Sequence, residues 1–93
     1  MTYIKIEYSE DTDLIEEYKP DVFYIMGTKE KPLYAFFICP CGCNDLIMLK
    51  IHDGGWMFTE LEGRPTIKPS IFRKSHAKCN SHFWINNGKV TFC

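Results

Sequence analysis

The stretch His82-Phe83-Trp84-Ile85-Asn86-Asn87-Gly88-Lys89-Val90-Thr91-Phe92 decides the fold class. Two apolar and aromatic runs flank Asn-Gly, a dipeptide that accepts the left-handed backbone a tight hairpin turn needs. Working outward, Val22 to Met26 and Leu33 to Cys39 read as strands joined by the polar segment Gly27 to Pro32. The second of these is almost wholly apolar, which predicts burial on both faces. Leu46 to Ile51 is a further strand, and Asp53-Gly54-Gly55 turns the chain into Trp56-Met57-Phe58. Thr66 to Phe72 is extended, with Pro65 and Pro69 restricting it to an edge or an irregular strand. Tyr3 to Tyr8 has the β-branched and aromatic character of a first strand. The acidic segment Ser9 to Lys19 admits one short helix, capped by Ser9 or Asp11, with Leu14, Ile15 and Tyr18 inward and Pro20 ending it. The expectation is a mostly-β single domain over residues 1–93: a small antiparallel sheet or half-barrel with at most one short N-terminal helix.

A chain of 93 residues buries only a small core, so a staple is expected. Five cysteines could supply it. Their odd number, the clustering of three of them and the absence of a secretory signal favour a metal in a reducing cytoplasm over disulfides. Cys39, Cys41 and Cys43 alternate along Cys39-Pro40-Cys41-Gly42-Cys43. Side chains two apart in extended chain point the same way, and glycine lets the backbone wrap an ion. Cys79 is the natural fourth ligand to a structural zinc; His82, at C-x-x-H spacing, competes for that place, and Cys93 is a further candidate. No carboxylate or second histidine adjoins the cluster in sequence, so an open, catalytic zinc is not indicated.

Ser70 follows Pro69 in a stiff segment, and His82 lies twelve residues on, a separation that suits two neighbouring strands. A serine becomes a nucleophile when a histidine takes its proton. Read from residues alone, such a pair is most often coincidence: Ser70 a turn residue, His82 a packed or zinc-bound imidazole. Glu60, Glu62 and Asp45 are the candidates for a third, acidic member. His52 and His76 read as surface histidines. Trp56, Phe58, Phe72, Phe83 and Trp84 read as core rather than a base-stacking platform.

The net charge of −1 argues against a general nucleic-acid binder, but the charge is uneven. Residues 1–31 carry eight acids and four bases, whereas residues 63–93 carry six bases (Arg64, Lys68, Arg73, Lys74, Lys78, Lys89) and no acid. That stretch is a solvated basic face or a surface for an acidic partner. No apolar run is long enough to cross a bilayer, and no membrane partner is expected.

Together these motifs resemble a family of small bacterial and phage proteins encoded beside bacterial ubiquitin-like conjugation genes, in Bub-type operons. The family pattern stands here as Cys39-Pro40-Cys41-Gly42-Cys43 after an apolar strand, Trp56, Thr66-Ile67-Lys68-Pro69-Ser70-Ile71, and Cys79-Asn80-Ser81-His82-Phe83-Trp84-Ile85 followed by Gly88-Lys89-Val90. The resemblance covers roughly residues 34 to 93. It departs at Asn44, where the pattern leads one to expect a glycine. It implies a zinc-binding serine peptidase that processes a ubiquitin-like protein or removes it from its conjugates. By position, Ser70 would be the nucleophile, His82 the general base, and Cys39, Cys41, Cys43 and Cys79 the zinc ligands. The competing reading is a non-catalytic zinc module that recognises an acidic protein or nucleic acid through its basic C-terminal third.

Overall fold

Phe23 and Ile25 on one strand, and Ala35 and Phe37 on the next, turn the same way and are shut off from water. That two-residue period makes the chain build sheets. The computed structural model describes residues 2–11, 15–73 and 81–93. Within them run β1 (Lys5–Ser9), β2 (Val22–Gly27), β3 (Pro32–Ile38), β4 (Leu46–Lys50), β5 (Met57–Leu61), β6 (Arg64–Phe72), β7 (His82–Asn86) and β8 (Lys89–Phe92). They form two four-stranded sheets, ordered β1-β2-β3-β4 and β5-β6-β7-β8. The fold is all-β, with no helix among the described residues.

All neighbouring strands pair antiparallel except β1 and β2, which run parallel. A parallel pair cannot be closed by a hairpin; it needs a crossover of about a dozen residues. The acidic segment after Ser9 serves as that crossover. Its described residues form no helix, and Leu14 lies outside them. Tyr18 does point inward, its ring edge-on to Tyr24 at 4.9 Å and tilted against Phe36 at 6.4 Å. That cover explains why β2 is the strand buried at four successive positions, whereas β3 alternates and only its Ala35 and Phe37 are fully enclosed.

The inner faces of the two sheets share one core. Phe23, Ile25, Phe37, Ile47 and Leu49 meet Ile67, Ile71, Phe83, Ile85 and Val90. Each such buried side chain contributes about 1.5–3 kcal/mol by leaving water. Tyr3 sits between the sheets, fully buried, edge-on to both Phe23 and Phe37. Burial pushes its hydroxyl above its ordinary range, so it remains a donor, to Ile38 O at 2.6 Å. Its backbone N–H donates to Gly88 O at 2.7 Å. Asn87 and Gly88, with φ of 51° and 82°, make the left-handed pair of the β7–β8 turn. A Cβ on Gly88 would lie 2.4 Å from Tyr3 O, so only glycine fits there.

Strand β6 is internal to its sheet, not an edge, and it is irregular. Ile67 faces Ile85 and Ile71 faces Phe83. Between those two pairs β6 has three residues, Lys68, Pro69 and Ser70, where β7 has Trp84 alone, and none of the three is paired with it. The two extra residues preserve the inward set of isoleucines on either side while breaking the ladder between them. The Lys68–Pro69 peptide bond in this break is cis.

Candidate active site and cysteine turn

The break in β6 carries Ser70, and the first residue of β7 is His82. Ser70 Oγ lies 2.7 Å from His82 Nε2, within ordinary hydrogen-bond reach. His82 faces Phe72 across the ladder, and the two rings stack with centroids 5.0 Å apart and planes 19° from parallel. Both residues of the pair are half-buried on the outer face of the second sheet. Ser70 has no residue of β5 or β7 opposite it in either ladder.

None of the three carboxylates considered for a third member bonds His82. Glu60 accepts from Tyr8 Oη at 2.5 Å and pairs with Lys29 at 3.3 Å. The Tyr8 hydrogen bond, with the lysine, holds its carboxyl below the ordinary value of 4.5. Asp45 pairs with Arg73 at 2.7 Å. Glu62 is exposed in the β5–β6 turn, beyond the far end of β6. The imidazole packs instead on a ring, the face of Phe72, which fixes its plane. Phe72 was expected in the core but is 57% exposed. Its spacing of two from Ser70 within one strand, which puts both on one face, is the signal that places it beside the histidine.

Trp84 is likewise outside the core, 45% exposed. Together with Thr66, Lys68, Asn86 and Thr91 it lines a groove of about 320 Å3 beside the dyad. Phe83 is buried as expected, while Trp56 and Phe58 pack against the core from its margin.

The cysteine turn joins β3 to β4. Cys39 is buried, Cys43 half-buried and Cys41 exposed, and their sulfurs all lie within 4.8 Å of one another. Cys39 Sγ and Cys41 Sγ are 3.4 Å apart, far beyond the roughly 2.05 Å of a disulfide. Around a tetrahedral zinc with Zn–S near 2.3 Å, sulfurs stand about 3.8 Å from each other. Three converging thiols at nearly that spacing fit a metal. Gly42 and Asn44, with φ of 97° and 64°, give the turn its curl. Asparagine tolerates this left-handed conformation better than most other side chains, so Asn44 serves at a turn position where a glycine would be expected.

Neither His82 nor Cys93 joins this cluster: His82 Nε2 is directed at Ser70, and Cys93 is exposed at the end of β8. Cys79, with Lys74, His76 and Lys78, lies outside the described residues. The segment that follows it is tied to the turn directly. Cys39 Sγ is 3.5 Å from Ser81 Oγ, Arg73 N–H donates to Ser81 O at 2.9 Å, and Cys39 N–H donates to Asp45 O at 2.8 Å. His52 contacts Asp53 at 3.1 Å and the Tyr34 ring, away from both sites. No helix of the described residues is long and apolar enough to cross a membrane.

Comparison with curated proteins and with solved structures returned no match. A family model does match, over residues 8–93, and it covers the whole of the cysteine turn, the broken strand and the final hairpin. The chain therefore belongs to the BubE family, the serine proteases of bacterial ubiquitination-like systems.

Proposed function

We propose that this chain cleaves at the C-terminal end of a ubiquitin-like protein, maturing it or releasing it from conjugates, with Ser70 as nucleophile and His82 as general base. The 2.7 Å contact between Ser70 Oγ and His82 Nε2 carries this reading. With its proton on Nδ1, the imidazole accepts from the serine hydroxyl as Oγ attacks the carbonyl. The same Nε2 then gives the proton to the departing amine, and water repeats the sequence to release the acid. Phe72 stabilises the imidazolium formed in between. The Ser70 N–H, in the ladder break, is the backbone donor we assign to the developing oxyanion.

Cys39, Cys41 and Cys43, with Cys79 as fourth ligand, would hold zinc in a closed thiolate site, which makes the ion a staple rather than a reagent. The segment that begins at Ser81, and so His82, would thereby be held against the cysteine turn. On this reading residues 1–93 work as one zinc-stapled unit. The test is cleavage of a ubiquitin-like precursor from a Bub-type operon by the wild type and by Ser70→Ala. Abolished cleavage with metal content and fold retained is the expected result; equal cleavage by the variant overturns it.

A further inference from the structure

The groove beside the dyad has a charge and a shape that neither the family nor the proposed chemistry specifies. Its walls are Lys68 and Thr66 of β6, Trp84 and Asn86 of β7, and Thr91 of β8. Lys68 is two residues from Ser70 and Trp84 two residues from His82, so the groove runs along the same two strands as the pair, although neither Ser70 nor His82 lines it. Strands β6, β7 and β8 contain no carboxylate. Of the two in or after β5, Glu60 is engaged on the other side by Tyr8 and Lys29, and Glu62 lies past the Thr66 end of the groove. Arg64, Lys68 and Lys89 are all exposed on this sheet, and Lys68 has no ion-pair partner among the described residues. The groove thus offers an unopposed cation, an exposed indole face and short hydroxyl and amide side chains.

From this we infer that the groove binds an extended segment of the substrate, with a carboxylate side chain on Lys68 and an apolar or small residue against Trp84, and so selects substrates acidic near the cleaved bond. This rests on the proposed function for its link to cleavage, but not for the binding itself. An extended backbone suits the site, because hydrogen-bonding side chains line it on several sides and a groove of about 320 Å3 takes a few side chains, not a folded surface. Charge complementarity fixes the class of segment: an acidic one gains an ion pair with Lys68, and a basic one meets repulsion from three cations.

The experiment uses full-length Ser70→Ala protein labelled with 15N and blocked octapeptides of Gly, Ala and Leu in which one Glu or one Lys is scanned along the chain. The indole resonances of Trp84 and Trp56 read binding at the groove and, as internal control, away from it. We expect one Glu position to bind about three- to tenfold tighter than its Lys counterpart, with Trp84 shifting and Trp56 not. Lys68→Glu should invert that order, and Lys50→Glu, on the other sheet, should leave it. Equal binding of the two peptide series, an unmoved Trp84 indole, no saturable shift up to millimolar peptide, or an order unaffected by Lys68→Glu each overturns the inference. Because no turnover is read, a charge preference at Trp84 in a chain whose wild type cleaves nothing would sustain the groove and defeat the peptidase reading.

Discussion

Arg73 Nη2 stands 2.7 Å from Asp45 Oδ2, and neither side chain is more than 28% exposed. This ion pair joins the end of β6, three residues past Ser70, to the turn that carries the three cysteines. Asp45 also receives the Cys39 N–H on its carbonyl, and Arg73 holds Ser81 through its own N–H. One pair therefore aligns the cysteine turn with the strand that begins at His82. Removing either partner strands a sheltered charge. Arg73→Met or Asp45→Asn should cost about 1–3 kcal/mol, less than the 3–5 kcal/mol of a fully buried pair. The double variant should recover part of that loss. Chemical denaturation of the four proteins forms the cycle that checks it.

Ser70→Ala and His82→Ala should each lower cleavage by about 10^3-fold or more, and the double variant should be no slower than the worse single one. Residues that act on one proton fail together. Rates that multiply in the double variant would mean that the two side chains act separately.

Phe72→Ala should reduce kcat about 3- to 30-fold with little change in KM, because on the proposed mechanism the ring supports an imidazolium, at roughly 0.5–2 kcal/mol, that forms only after the substrate is bound. Phe72→Tyr, which retains the stacked face, should restore most of the rate. Steady-state kinetics on a peptide substrate would separate the two parameters.

Cys39→Ser should lose the bound metal and lower the thermal midpoint, and a strong chelator should reproduce that drop in the wild type. Cys93→Ser should keep full metal content, since its sulfur is not among the converging three. Metal analysis alongside thermal melts reads both outcomes; a metal-free Cys93→Ser protein would contradict the ligand set.

The Tyr8–Glu60 hydrogen bond joins the first sheet to the second and holds the Glu60 carboxyl below 4.5. A depressed carboxyl adds stability that is fully present above its unfolded value and fades as pH falls through the folded one. Wild type and Glu60→Gln should therefore differ above about pH 4.5 and converge below it. Unfolding free energies measured from pH 3 to pH 7 would show this, and a constant gap would exclude it.

Much of the strand layout could be read from sequence because each strand here is bounded by its own punctuation. Asn87-Gly88 marks the last turn, Asp53-Gly54-Gly55 the approach to β5, and Pro65 and Pro69 the irregular strand. The spacing of Ser70 and His82 made their approach feasible, since twelve residues suffice for two adjoining antiparallel strands, but the residues alone read such a pair as coincidence, and only the paired strands bring the two to 2.7 Å. What local patterns do not encode is who pairs with whom at long range. The parallel β1–β2 pair and the inner position of β6 depend on partners remote in sequence. The outward turn of Phe72 and Trp84 was missed for a related reason. Aromatic residues favour cores in general, and only the two-residue period counted from Ser70 and His82 shows that these two face solvent.

The two additional residues in β6 also separate the scaffold from what it carries. Excising Lys68 and Pro69 would let Ile67 and Ile71 keep their inward positions while the ladder ran through uninterrupted opposite β7. The sheet does not need the kink; the kink only lifts Ser70 out of the ladder. Within this architecture, the exposure of that serine is a matter of chain length at one point, so a variant with those two residues deleted should retain the cysteine turn, the hairpin and the whole hydrophobic interior.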